Sequence, residues 1–151
     1  MVRFGLKGAC LAIAMTVSAS GAHAAGTLVA AGDEWLLTNT AYTAPYATGT
    51  TAFVDNIAAT FGGTNYLLLT GDAATGGQSG LTNFAAQLQS LGKTVSYAAA
   101  LPANLSGYDA VFHIGQYVAS TVGLDAYVAG GGNLYLSLGG GYYGSAAGEA
   151  A

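Results

Sequence analysis

The sequence predicts a three-layer α/β domain built on a mostly parallel five-stranded sheet. Two observations carry that prediction. Five short apolar, β-rich runs (27–31, 66–70, 94–98, 110–114 and 133–138) recur along the chain, and segments of helical periodicity lie between several of them. Strands alternating with helices of this length make βαβ units with right-handed crossovers. In addition, Tyr66–Thr70 and Ala110–Ile114 are almost continuously apolar, as strands covered on both faces are.

Residues 1–24 read as a secretory signal. Arg3 and Lys7 supply the positive start, Ala9–Val17 the apolar stretch, and Ala22-His23-Ala24 the small residues before a cleavage after Ala24. That stretch is shorter than the about 20 apolar residues a membrane-spanning helix needs. Cys10 lacks the apolar residue three positions upstream that lipid attachment requires. The rest of the chain, 25–151, fits one domain. Its first strand is Thr27–Ala31. The segment Leu36–Gly49, with Thr, Asn, Tyr, Ala and Pro45, follows neither period and reads as a surface loop.

A helix is expected over Thr51–Phe61, where Phe53, Val54, Ile57, Ala58 and Phe61 share a face. Thr50 or Thr51 would cap it and Gly62-Gly63 would end it. A second helix spans Leu81–Leu91, with Leu81, Phe84, Ala85, Leu88 and Leu91 inward and Gly92 as its stop. Leu101–Tyr108 reads as a loop between strands. A shorter helix runs from Ser120 to Ala129, with Leu124 and Val128 inward and Gly130–Gly132 after it. Ser145–Ala151 resembles the first turns of a further helix, which reads as a domain truncated at its C-terminus.

Composition excludes several chemistries. Residues 25–151 hold Lys93 as their one base against Asp33, Glu34, Asp55, Asp72, Asp109, Asp125 and Glu149, a formal charge of −6. They contain one histidine, His113, and neither cysteine nor arginine. This leaves no thiolate nucleophile, no multi-histidine zinc site within one chain and no basic footprint for nucleic acid. A phosphate ligand would rest on backbone N–H groups almost alone. No transmembrane segment is expected in residues 25–151.

Three stretches carry a family resemblance: Tyr66–Asp72 (YLLLTGD), Leu105–Phe112 (LSGYDAVF) and Leu124–Leu136 (LDAYVAGGGNLYL). The chain resembles the class I glutamine amidotransferase-like proteins of the flavodoxin-like group. Its start, Thr27–Trp35 (TLVAAGDEW), is similar to secreted bacterial members whose chains carry a C-terminal PEP-CTERM sorting signal. The resemblance implies a flavodoxin-like fold. It does not bring glutamine hydrolysis with it, because the turn where such enzymes place a nucleophilic Cys reads SLGGGYYG here (Ser137–Gly144).

In an open parallel sheet, ligands bind beyond the carboxyl ends of the strands. Those exits carry Gly32-Asp33-Glu34-Trp35, Gly71-Asp72, Gly115-Gln116-Tyr117 and Gly139-Gly140-Gly141, and among them Asp33, Glu34, Trp35, Asp72, Gln116, Gly139, Gly140 and Gly141 are the candidate ligand-binding residues. Asp33, Glu34 and Asp72 are candidate oxygen ligands for Ca²⁺, set against an ordinary role as capping, solvated turn residues. Gly139–Gly144 matches G-x-G-x-x-G, but it follows the last strand and the chain ends before the acidic partner that motif needs. His113, inside an apolar strand, reads as a hydrogen-bonded core residue. Ser79 and Ser137 lack an evident base. Trp35, Tyr42, Tyr46, Tyr117, Tyr142 and Tyr143 offer an aromatic surface for a sugar or a cell-surface partner, or simply cover backbone.

These features point to an exported, non-catalytic binding or surface-associated module. The alternative is a cation-dependent or acid-pair hydrolase using the strand-end carboxylates. If the signal reading holds, N-terminal sequencing of the exported protein returns Ala25 as its first residue; an intact Met1 on the exported form refutes it.

Overall fold

The apolar runs around Leu68 and Phe112 become neighbouring strands inside a sheet. The computed structural model describes residues 25–33, 35–71, 75–115 and 121–137. Its strands are β1 (Leu28–Ala31), β2 (Asn65–Leu69), β3 (Thr94–Ala98), β4 (Ala110–His113) and β5 (Asn133–Ser137). They form one sheet in the order β1-β5-β4-β2-β3, and every neighbouring pair is parallel. The helical elements are a 3₁₀ turn (Asn39–Tyr42), α1 (Ala47–Phe61), α2 (Gly77–Gly80), α3 (Thr82–Ser90) and α4 (Leu124–Ala129).

Side chains alternate across a strand, so parallel registration sorts the core into two layers. Tyr66, Leu68, Ala110, Phe112 and Tyr135 face α1 and α3, meeting Val54, Ile57, Ala58, Phe61, Phe84 and Leu88. Leu67, Leu69, Val111 and Leu134 face the other way, toward Leu124 of α4 and Leu105 of the β3–β4 loop. Helices thus cover both faces, giving the three-layer α/β fold of the flavodoxin-like class. Counted from β2, the order is the 2-1-3-4-5 of flavodoxin-like sheets, with the N-terminal strand β1 in the fifth place.

Phe112 is the hub of the first layer. Its ring lies 5.1–5.7 Å, centroid to centroid, from Phe61, Tyr66, Phe84 and Tyr135. One side chain on β4 therefore ties together β2, β5, α1 and α3.

Strand limits match the sequence reading within a residue, apart from Leu138, which lies outside the described residues. Leu101–Tyr108 is a loop as expected, but other segments need correction, among them the short helix, which begins at Leu124 and not at Ser120. Helix α1 begins at Ala47, not Thr51, because the Thr50 hydroxyl, inside the helix, donates to the Ala41 carbonyl at 3.0 Å instead of capping. The segment Leu36–Gly49 is not a surface loop: Leu37, Thr38 and Ala41 are buried under α1 and α3, and its end is the first turn of α1. The predicted helix Leu81–Leu91 is α3, Thr82–Ser90, with Leu81 at its N-cap position and the short α2 as a separate turn before it. Leu91 is exposed, because α3 ends at Ser90 and the chain turns away toward Gly92. The first turn of α3 has no cap from its own N-cap residue, Leu81. Asn39 supplies one from the 3₁₀ turn: its Oδ1 accepts from the Asn83 N–H at 2.9 Å.

Phe112→Ala removes the shared ring of this layer. It is expected to cost about 3–5 kcal/mol, read from urea unfolding, while Leu91→Ala stays within about 0.5 kcal/mol, as exposed substitutions do.

Candidate functional site

The chain leaves β2 toward β3 on one side and leaves β4 toward β5 on the other. Such a reversal opens a crevice between the carboxyl ends of the two strands, where α/β sheets take their ligands. Glycine stands at both exits for steric reasons. A Cβ on Gly71 would overlap the carbonyl oxygen of Ala99, and Gly115 has φ of 116°, a conformation L side chains rarely adopt. The Gly115 N–H donates to Oγ of buried Ser137 at 3.1 Å, which fastens the β4 exit to the end of β5. Beside it, Thr70 donates its N–H to the Ala98 carbonyl at 2.8 Å.

His113 is the last residue of β4, at the reversal point of the sheet. It faces the second layer, paired in register with Leu69 and Leu136. Only 1% of it is exposed, and neither Nδ1 nor Nε2 finds a hydrogen-bond partner among the described residues. The sequence suggested a hydrogen-bonded core histidine; the ring is core, but it has no hydrogen-bond partner among the described residues. Its register partners on the two neighbouring strands, Leu69 and Leu136, are both apolar. Burial pulls its pKa below the ordinary histidine value, opposed by its own backbone carbonyl, so the ring is neutral near pH 7, with one donor and one acceptor nitrogen.

Tyr135 is the other buried group of this kind. Its hydroxyl has no partner among the described residues, and burial together with the charge of Asp33 raises its pKa.

The remaining candidates are less concentrated. Asp33, at the exit of β1, accepts the Trp35 N–H on Oδ1 at 2.8 Å, the bond of a capping turn. From there to the exit of β2 is three strand spacings, about 14 Å. Among the described residues no three His, Cys, Asp or Glu side chains could hold a metal ion together. Trp35 is 47% exposed and Tyr46 65%. Tyr42 is half-buried and donates its hydroxyl to Gln87 Oε1 at 2.7 Å. Ser79 donates to the Gly76 carbonyl within its own turn. Glu34, Asp72, Gln116, Tyr117, Gly139, Gly140, Gly141, Tyr142 and Tyr143 lie outside the described residues, as does the whole 1–24 segment.

The opposite end of the sheet holds a polar cluster that the sequence reading missed. Asp109 Oδ2 accepts the N–H groups of Thr64 and Asn65 at 2.7 and 2.8 Å, and those two bonds hold its pKa down. Lys93 donates to the carbonyls of Gly62 and Gly63 at 3.1 and 2.8 Å, and its ammonium lies 5.0 Å from the Tyr66 ring centroid. The sequence signal that belongs to this cluster is Gly62-Gly63, read as a helix stop alone: a Cβ on Gly63 would overlap the Asp109 side chain.

The fold is that of a flavodoxin-like α/β protein whose strand order reverses between β2 and β4. No family model, curated protein or solved structure matches the chain.

The His113 burial has a pH signature. In the unfolded chain the ring takes a proton near pH 6.5, whereas the folded pKa lies lower. Stability is therefore fully present above pH 6.5 and declines as pH falls from there toward the folded pKa, by at most about 1.4 kcal/mol per unit. Urea midpoints at pH 7.5 and 5.5 should differ in the native protein and converge in His113→Leu. An unchanged difference in the variant would assign the effect elsewhere.

Proposed function

We propose that this is an exported, non-catalytic binding module that takes a small, uncharged, hydrogen-bonding ligand at the crevice between the ends of β2 and β4. The reading is carried by His113. A buried, unpaired polar group costs about 1–3 kcal/mol, and polar groups left unpaired in native interiors call for an explanation. A neutral imidazole beneath a glycine-lined crevice is suited to a hydroxyl or a carboxamide, each of which donates and accepts.

Charge supports the same ligand class. Lys93 is the only base of residues 25–151, and it is bonded at the opposite end of the sheet. An anion in the crevice would meet no side-chain cation. Export is supported by the charged, apolar and small-residue succession of residues 1–24. The amidotransferase-like resemblance of Tyr66–Asp72 and Leu105–Phe112 supports kinship of scaffold, and the lack of cysteine in residues 25–151 supports a non-catalytic role.

The purified protein, ¹⁵N-labelled, is to be titrated with small alcohols and amides. The expected result is saturable shifts at Thr70, Gly71, Ile114 and Gly115. His113→Leu should abolish them while raising the melting temperature, because it removes an unpaired polar group and keeps an apolar side chain. A more stable variant that still binds, or the absence of shifts at this rim, refutes the proposal. A melting shift with millimolar Ca²⁺ alone would favour the carboxylate–cation alternative.

A further inference from the structure

A groove runs along α4 at the amino ends of the strands, far from the switch-point crevice. One wall is α4, with Ala126 and Tyr127. The other is the β3–β4 loop, with Ser106 and Tyr108. Gly130–Gly132 and Asn133 line its base, and it encloses about 560 Å³, within the usual range of small-molecule sites.

Its chemistry is specific. Asp109 lines the groove with one carboxylate oxygen fixed by the backbone of Thr64 and Asn65. Oδ1 has no partner among the described residues, and the carboxyl stays ionised because those two N–H groups lower its pKa. The result is a preorganised, charged acceptor whose position has already been set by the fold. Tyr127 crosses from α4 to the loop, donating its hydroxyl to the Tyr108 carbonyl at 3.1 Å. Its ring lies so close to Gly132 that a Cβ there would collide with it. Tyr127 and Tyr108 thus bring aromatic surface to the groove from both walls.

A fixed carboxylate in a groove also lined by two tyrosines suits a ligand with hydroxyl donors and a C–H face. An anion is repelled by Asp109, and the nearby Lys93 ammonium is engaged by Gly62 and Gly63. A Ca²⁺ ion would need six to eight oxygen ligands, and among the described residues Asp109 is the one carboxylate lining the groove. We infer that this groove is a binding site for an uncharged polyhydroxylated ligand of the monosaccharide or cyclitol class, held by Asp109 between Tyr108 and Tyr127. The inference is independent of the crevice reading, since it uses none of the same residues.

The test is a titration of the ¹⁵N-labelled protein with D-glucose and with myo-inositol. Saturable shifts at Ser106–Asp109 and Gly130–Asn133, with millimolar affinity for at least one probe, are expected. Asp109→Asn should weaken that binding about tenfold or more, the effect of losing one charge-assisted hydrogen bond. Asp109 also supports β2, so Ala126→Gln serves as the second variant. It is exposed on α4 and should block the groove with no change in melting temperature. Binding of neither probe, binding that survives Ala126→Gln, or shifts confined to Gly71 and Gly115 would overturn the inference.

Discussion

The structure depends on β4 being buried on both faces. Ala110, Val111 and Phe112 are fully inaccessible and His113 nearly so. A central parallel strand has no solvated side, and each successive residue must satisfy the opposite layer. Phe112 does so with four aromatic neighbours that draw α1, α3, β2 and β5 onto one point. One residue later the same alternation sends an imidazole into an aliphatic layer between Leu69 and Leu136. The constraint that makes the strand an effective core element also isolates its only polar side chain. Isolation of that kind weakens a fold unless something compensates, which is why His113 and not a surface acid anchors the functional reading.

The same sheet separates the charges. At the amino ends, Lys93 donates to the Gly62 and Gly63 carbonyls just past the end of α1, where a cation is favoured by the helix dipole, and Asp109 collects the first N–H groups of the β2 segment. Both are structural closures of the same corner. At the carboxyl ends Asp33 stands at the exit of β1, while the end of β4 presents the His113 imidazole; the one base of residues 25–151, Lys93, is engaged at the amino ends. In the groove along α4, by contrast, a carboxylate already bound by the backbone has one oxygen to offer. The two ends therefore suit related but differently polarised ligands.

How much of this was legible follows from what each feature depends on. Strands buried on both faces declare themselves as unbroken apolar runs, so β2 and β4 could be read directly, and with them the parallel sheet. The stripes of α1 and α3 were legible because each has one buried face. The helix starts were not, since they rest on contacts distant in sequence: Thr50 bonds Ala41, and Asn39 caps the turn at Asn83. No local pattern reports that β1 lies beside β5 at the sheet edge; the pairing joins residues more than a hundred positions apart. Leu36–Gly49 looked like a loop because its buried residues, Leu37, Thr38 and Ala41, follow no single period. At the sites, the rim glycines were legible as turn residues. The unpaired state of His113 was not, because it depends on what neighbouring strands fail to offer. Asp109 looked like one acid among seven until its partners came from Thr64 and Asn65.

Asp109 and His113 stand at either end of one strand, four residues or about 13 Å apart, which bears on whether the crevice and the groove can influence each other. Coupling requires an element with two arrangements that each ligand favours differently. The link between them is β4, hydrogen-bonded to β2 and β5 along its length and packed on both faces. Close-packed strands of this kind have one arrangement, and shifting the register by a residue would turn Phe112 out of its aromatic cluster and into the aliphatic layer. The sheet therefore holds the two ends at a fixed distance without relaying occupancy between them. What the fold provides is a rigid spacer with a different hydrogen-bonding chemistry at each end, a property suited to a protein that binds rather than one that switches.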